Sequence, residues 1–488
     1  MQVLTPQEME TEEATLLASG MQRETLMEAA AAGLANVVRQ FFPRPGRCIG
    51  YVGKGLNGAD TLLALRLLAE GGWATEAVLA FPEEELAPLT GQNLGRWREA
   101  PQPAFPSSTP LVLLDGLLGL GTQAAPREPI ASLVRQMNQR RRSEGARIVA
   151  VDVPSGLDPL TGTPSPDCVR ADVTVTFGAA KSGLFTDDAT NFVGRLAVIP
   201  LPGLQLPASQ DRVVVTPELV RSWIPPRDFD SYKGNYGHVA IIAGSPGYFG
   251  AACLAALGAL HSGAGLVTVL TRPQFFPYLA TTCPPEVMVK VVEDFADLLN
   301  QNYDSLVIGP GLVDQAPEEL IEVFRLSPQP LLLDAGALSI LGNNLKMLRL
   351  VSAPRIITPH PGEMQRIVPH HDIDRASLCR HFVDENPCVL LYKGARTITT
   401  APGRPLYYNT TGGPGMSTGG MGDVLSGVIG GLTAQGIRPT DATAAGAWLC
   451  GRAAEAALSE RESEQSLSAA MIPAYLGRAF QSLGSGAF

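Results

Sequence analysis

The stretch NTTGGPGMSTGGMGDVLSG, Asn409 to Gly427, crowds glycines ahead of an apolar helical pattern that begins near Val424. Backbone without Cβ atoms can turn its N–H groups inward and approach an anion closely, and the positive end of the following helix adds to the attraction. Asp423, at the start of that helix, stands where a carboxylate can take a proton from a hydroxyl attacking a phosphate. A glycine turn whose acid merely caps the helix has the same local signature. The choice between the two rests on the surrounding chain.

Working outward, GPG (Gly309–Gly311), TPHPGE (Thr358–Glu363) and YKGART (Tyr392–Thr397) each follow or close an apolar β-run. Strands are predicted at His238–Ala243, Leu266–Leu270, Ser305–Ile308, Pro330–Asp334, Arg355–Thr358 and Val389–Tyr392, and mostly helical sequence follows. The first half alternates in the same way, with strands at Arg47–Val52, Ala77–Phe81, Leu111–Asp115, Arg147–Asp152 and Val173–Phe177 and crossover helices at Thr61–Glu70 and Ile130–Arg141. Strand and helix in alternation mean parallel sheets wrapped by helices, with ligands bound at the carboxyl ends of the strands. Between Leu201 and Pro226 the pattern lapses into LPGLQLPASQD and WIPPRD, read as a linker and its landing segment. An α/β chain of two domains is therefore expected, 1–211 Rossmann-like and 212–488 a second α/β domain.

At 488 residues the chain is long enough for two such cores. A formal net charge of −10 excludes a general affinity for nucleic acid, while leaving room for a local pocket that holds one small phosphorylated ligand. The cationic run RQMNQRRRSEG at 135–145 reads as a solvated helix end. Seven scattered cysteines without CxxC spacing suit reduced thiols in a cytoplasmic protein, with neither a disulfide framework nor a zinc site. The opening MQVLTPQEMETEEATL does not have the form of a signal peptide, and no membrane span is expected. The most apolar long stretch, Ala251–Leu270, reads as a buried helix running into a strand.

Taken in order, the GPG, TPHPGE, KGART and GGMGD segments resemble the ribokinase-like superfamily. More specifically, they are similar to the carbohydrate-kinase-like dehydratase that repairs hydrated NADH and NADPH, from about Tyr232 in SYKGNYG to Ala469. The resemblance implies that Lys393, Gly394, Ala395, Arg396 and Thr397, with Gly422, hold the nucleotide. It implies that Ala251, Gly311, His360 and Asp423 contact the hydrate and that Asp423 is the catalytic base. By itself His360 reads as a capping or core histidine. The implied reaction phosphorylates the hydroxyl of the hydrate at the expense of ADP, with Mg²⁺ bridging the phosphates, and expels phosphate. One departure is visible: DAGAL at Asp334–Leu338 stands where the family often has DADAL, so a carboxylate is lost at Gly336.

In the first half, Asn57 and Asp60, Asp115, and Asp152 with Ser155 each follow a predicted strand. Oxygen donors without Cys or His suit a hard cation, and Asp and Asn are equally at home as caps and turn residues. The order GKGLNGAD, DGLLGLGT, DVPSGLD, TFGAAKSGL resembles the N-terminal epimerase domain of the bifunctional NAD(P)H-hydrate repair enzymes, over roughly Leu4 to Leu201. That implies potassium on Asn57, Asp115 and Ser155. It implies a substrate held by Leu56, Asn57, Gly58, Ala59 and Asp60 and by Gly119, Leu120, Gly121, Thr122, Gln123, Ala124 and Ala125, with Asp152 as the acid/base group. Lys181, in the matching TFGxxKxGL segment, is either functional or structural. The family's GxGNNGGDG stands here as GKGLNGADT, so Leu56, Ala59 and Thr61 replace one Asn and two Gly. Leucine cannot donate the lost amide contacts, and the added Cβ atoms are expected to crowd a phosphate-facing turn.

The expectations are a homo-oligomer acting on the small molecules NADHX and NADPHX with ADP, and with K⁺ in the first domain and Mg²⁺ in the second. Two rival readings remain: a ribokinase-like small-molecule kinase, and a first domain that is a non-catalytic binding module.

Overall fold

The computed structural model describes residues 1–101, 103, 110–121, 125–206, 211–313, 316–342, 344–369 and 373–484. The expected substrate residues Thr122, Gln123 and Ala124 lie outside them. The chain forms two compact units, the second beginning at Asp211.

In the first unit six parallel strands run in the order Ala74–Leu79, Arg47–Val52, Leu111–Gly116, Arg147–Val151, Val173–Phe177, Arg195–Ile199. Both faces of the central strands are covered, which is why LVLL and IVAV read as unbroken apolar runs. The strand order reverses between Arg47–Val52 and Leu111–Gly116, and that switch point opens a crevice at the carboxyl ends. The sixth strand, Arg195–Ile199, is absent from the sequence reading. The strand expected at Ala77–Phe81 instead begins at Ala74, because Ala74 pairs in register with Arg47 beside the buried Trp73. The first crossover helix starts five residues earlier than expected, at Leu56, so Leu56–Asp60 are its opening turn and not a loop. Two helices precede the sheet, Pro6–Ala18 and Arg23–Phe41, the former started by a Thr5/Glu8 capping box.

The second unit carries a ten-stranded sheet. Its parallel part runs Met288–Val291, Leu266–Thr271, His238–Ile242, Ser305–Ile308, Leu331–Leu333, Arg355–Ile357, Val389–Tyr392. An antiparallel extension, Ile398–Thr400 and Leu406–Tyr408, follows, and Arg212–Val214 closes the edge. The linker reading of Leu201–Pro226 is thus too long: Arg212–Val214 is a strand and Pro217–Trp223 a helix of this unit. KGART is the turn of the Val389–Tyr392/Ile398–Thr400 hairpin.

Helices Phe249–His261 and Met421–Ala434 lie against each other through small residues. A Cβ on Gly427 would meet the Ala255 carbonyl at 1.8 Å, and one on Gly258 the Val424 carbonyl at 2.3 Å. Ala251–Leu270 is the helix-then-strand expected of it. All seven cysteines are free, and among the described residues no helix is long and apolar enough to cross a membrane.

Candidate functional sites

In the second unit the glycine-rich segment turns into its helix at Gly420, whose φ of 91° is open to glycine and costly for other residues. The helix therefore begins at Met421 rather than near Val424, and Asp423 is its third residue, not its cap. Burial first, then the neighbouring Asp334 carboxylate, push the Asp423 carboxyl up to about 6, against the pull of Lys393. A carboxyl there is ionised at neutral pH yet more basic than an exposed one, the condition for accepting a proton from a hydroxyl.

The other segments reach the same place along the sheet edge. Lys393 leaves the Val389–Tyr392 strand and donates through Nζ to Asp334 Oδ1 at 2.6 Å. A Cβ on Gly422 would come within 3.3 Å of that Nζ, so the glycine leaves space for the ammonium. The backbone N–H of Lys393 donates to the Pro359 carbonyl at 2.9 Å, tying KGART to the TPHPGE loop. Gly309 packs on the Asp334 carbonyl, and Gly311 packs against Ala251 and Tyr248, at the switch point between His238–Ile242 and Ser305–Ile308. Ala251, Gly311, Lys393, Gly422 and Asp423 are thereby linked around one rim.

Within KGART, Gly394 and Ala395 are exposed, while Arg396 is buried and Thr397 Oγ1 donates to the Gly394 carbonyl. The buried Arg396 side chain belongs to the interior, which leaves Lys393 and the exposed turn to meet a ligand. His360 takes the capping role that its residue type suggests: its Nδ1 accepts from the Glu363 N–H at 3.2 Å, and Glu363 Oε2 accepts from the His360 N–H at 2.9 Å. Half of its side chain stays exposed at the rim, with Nε2 3.6 Å from Glu363 Oε1. Asp334, which the sequence reading noted only for its altered neighbour at Gly336, proves central. Its retention beside that change was the available signal.

The site of the first unit lies around a cavity of about 640 Å³. Leu56, Asn57, Asp60, Gly119, Leu120, Gly121 and Asp152 line it, as does Lys181. Gly58 and Ala59 are buried behind it, and Ala125 is exposed away from it. Asp152 has a φ of 68°, strained for a residue with a Cβ, and this turns its carboxylate into the cavity. Its Oδ1 accepts from Lys181 Nζ at 2.5 Å, Thr176 Oγ1 at 2.8 Å and the Phe177 N–H at 3.2 Å, leaving Oδ2 for a ligand. Lys181 is thus tied to Asp152 in the cavity wall. Asp60 is buried, and its Oδ1 meets no partner among the described residues. Burial, then Asp152 and Glu13, push its carboxyl well above the usual range. The helices Pro6–Ala18 and Arg23–Phe41 cover the cavity with Met9, Glu13, Arg23 and Ala30, a wall that strand-end motifs could not reveal.

The feared crowding of the altered turn does not occur. Ala59 and Thr61 point into the core of the helix–sheet interface, where Thr61 Oγ1 donates to the Asn57 carbonyl at 2.8 Å and packs on Gly116. Of the three substitutions only Leu56 faces the cavity, with 42% of its surface exposed.

Asn57, Asp115 and Ser155 converge beneath the cavity floor. Asn57 Nδ2 donates to the carbonyls of Leu118 and Val151 at 2.6 and 2.7 Å, and Ser155 Oγ donates to Asp115 Oδ1 at 2.6 Å. Asp115 is fully buried with no cationic side chain paired to it among the described residues, and burial raises its carboxyl to about 6. A buried carboxylate amid carbonyl, hydroxyl and amide oxygens fits a hard monovalent cation. Nowhere among the described residues, around Asp115 or around Asp423, do three His, Cys, Asp or Glu side chains cluster.

Two family models match the chain: residues 23–183 match "YjeF-related protein N-terminus" and residues 239–476 match "NAD(P)H-hydrate dehydratase". The bifunctional NAD(P)H-hydrate repair enzyme of Coxiella burnetii is 34% identical, over 93% of this chain and 94% of its own. The enzyme of the same description from Escherichia coli is 36% identical, over 89% of this chain and 85% of its own. Among solved structures, the ADP/ATP-dependent NAD(P)H-hydrate dehydratase of Bacillus subtilis, co-crystallised with ATP and Mg²⁺, is 29% identical with a TM-score of 0.50. It covers 56% of this chain and 100% of that one.

Proposed function

The chain belongs to the family of bifunctional NAD(P)H-hydrate repair enzymes, and on that premise we propose that its two units repair hydrated nicotinamide dinucleotides in sequence. Residues 1–211 interconvert the R and S hydrates, and residues 212–488 dehydrate the S form with conversion of ADP to AMP and phosphate. The observation that carries the reading is the half-buried Asp423 carboxyl, raised to about 6 at the start of the helix that leaves the glycine turn, with the Lys393–Asp334 ion pair beside Gly422.

Water adds to a dihydropyridine so that the new hydroxyl sits on a carbon beside the ring nitrogen. Hydroxide is a poor leaving group from that carbon. Asp423 takes the hydroxyl proton as the oxygen attacks the β-phosphorus of ADP, and AMP departs. Amides of the Gly419–Gly422 turn and the Lys393 ammonium balance charge on the transferred phosphoryl group. The ring nitrogen then pushes out phosphate, the adjacent carbon gives up a proton, and the dihydropyridine is restored. Mg²⁺ bound with the nucleotide supplies charge neutralisation at the phosphates.

In the first unit the free oxygen of Asp152 exchanges protons with the hydrate, while Lys181 holds the carboxylate in place. Asn57, Asp115 and Ser155 would hold K⁺, which neutralises the buried Asp115 under the floor. The protein works as a homo-oligomer in the cytoplasm, a setting that keeps its seven thiols reduced.

The test is a mixture of R and S hydrated NADH supplied with ADP, followed by recovery of dihydropyridine absorbance. Full recovery is expected from the natural protein, and only the S fraction beyond spontaneous epimerisation from Asp152→Asn. Asp423→Asn should abolish recovery while retaining ADP binding. A phosphorylated product that accumulates without regenerating the dihydropyridine would instead make this a small-molecule kinase.

A further inference from the structure

Asp334 lies at the end of the Leu331–Leu333 strand, is 1% exposed, and joins three segments of the second unit. Its Oδ1 accepts from Lys393 Nζ at 2.6 Å and its Oδ2 from Ser426 Oγ at 2.7 Å. Ser426 is three residues beyond Asp423 on the same helix, so it lies on the same face one turn along. The Asp334 backbone is equally constrained. Its carbonyl packs on Gly309, and the next residue, Ala335, sits at φ 46°, one of three non-glycine residues in the left-handed region among those described. Strain of this kind persists only where surrounding structure fixes it, and Asp152 in the other unit is a second of the three.

We propose that Asp334 is a positioning residue for the dehydration step: it fixes the Lys393 ammonium beneath Gly422 and, through Ser426, fixes the rotation of the helix that carries Asp423. This rests on the dehydratase reading above.

The carboxylate has two physical effects. It holds in place a flexible lysine that would otherwise wander over the rim or pair directly with Asp423. It also keeps a second negative charge near Asp423, so Asp423 stays basic enough to accept a hydroxyl proton. The charged groups bearing on Asp423 are Asp334 and Lys393, and the chain packed on Gly420 at the same turn contributes Leu254 and Ala469, which carry no charge. Without Asp334, Lys393 turns to Asp423 and like-charge repulsion disappears. Both changes make Asp423 a weaker base.

The experiment uses the full chain and two variants. In Asp334→Asn the acid limb of kcat for ADP-driven dehydration, and the titration of the isotope-labelled Asp423 carboxyl followed by NMR, should both move down by about one pH unit. kcat at pH 8 should fall roughly tenfold with the KM for hydrate little changed, the pattern of a step lost from the transition state. In Ser426→Ala, which keeps the charge and loosens the helix, kcat should fall severalfold with the limb unmoved. An Asp423 carboxyl that titrates alike in Asp334→Asn and the natural protein overturns the charge role, and a Ser426→Ala variant with unchanged kcat overturns the tether. Failure of the natural protein to regenerate the dihydropyridine would sink the dehydratase reading instead, while the carboxyl titration would still decide how Asp334 acts on Asp423.

Discussion

Asp423 and Asp115 share a physical situation: each carboxyl is raised from its ordinary 3.8 to about 6, chiefly by burial. For Asp423 the ionised form is the working base, so the rate of dehydration should climb as pH rises through about 6 and level above it, a limb that Asp423→Asn removes. The effect on folding has the opposite slope. Between 3.8 and about 6 the native state holds a proton on Asp423 that the unfolded chain releases, so this group lowers stability as pH rises across that window and adds no further dependence above it. At Leu56 a leucine side chain faces the first cavity, where the motif that this segment resembles has an amide. Leu56→Asn should tighten hydrate binding by about 1 kcal/mol, roughly fivefold in the KM for epimerisation, if the amide reaches the ligand. An unchanged KM would mean that this edge of the cavity is not in contact with substrate. None of these residues had its burial or neighbours written in its local sequence. His360 could be seen as a capping residue, whereas the pairing of Asp152 with Lys181, 29 residues away, could not.

Among the elements, the Met421–Ala434 helix matters most, because it presents Asp423 at its first turn and packs on Phe249–His261 behind it. Gly427, Gly258 and Gly431 let the two backbones approach, and a Cβ on Gly431 would meet Ser262 Oγ at 2.2 Å. Gly427→Leu should therefore pry the helices apart and cost about 1–3 kcal/mol or more, visible as a lowered denaturation midpoint, with dehydration lost in the molecules that still fold. Epimerisation should be untouched. The glycine run itself was legible as a close-approach element. Its phosphate-facing half and its helix-packing half look the same in sequence, and only the second is spent on Phe249–His261. The helix starting at Leu56 shows the reverse case, since positions read as a crowded anion turn carry side chains that point into the core.

At the scale of the whole molecule each unit has buried apolar clusters of its own. One group of buried clusters draws on residues up to Leu206 and the other on residues from Val213 onward. Ligands specific to each should stabilise each selectively. In calorimetry, saturating ADP with Mg²⁺ at a hundredfold excess over Kd should add about 2.7 kcal/mol to the unfolding of the second unit alone. Exchanging K⁺ for a large organic cation should lower the transition of the first alone, and Asp115→Asn should erase that cation dependence. A K⁺ response that survives Asp115→Asn would remove this carboxylate from the proposed ion site.

The sequence by itself determined the alternation of strand and helix, the two α/β units, and the strand-end segments from which the candidate residues come, because parallel strands buried on both faces must be apolar and their carboxyl ends must carry the polar turns. It missed the strands Arg195–Ile199, Met288–Val291 and Arg212–Val214 and the extension Ile398–Thr400 with Leu406–Tyr408. Apart from Arg195–Ile199 these run three or four residues, too short for a periodic signal, and are held by pairing partners distant in the chain. Tertiary packing alone set which acids are buried, that Lys181 pairs with Asp152 and Lys393 with Asp334, and that Asp334 links Lys393 to the helix of Asp423. Charge–charge energy depends on distance and desolvation in three dimensions, and neither can be read along one.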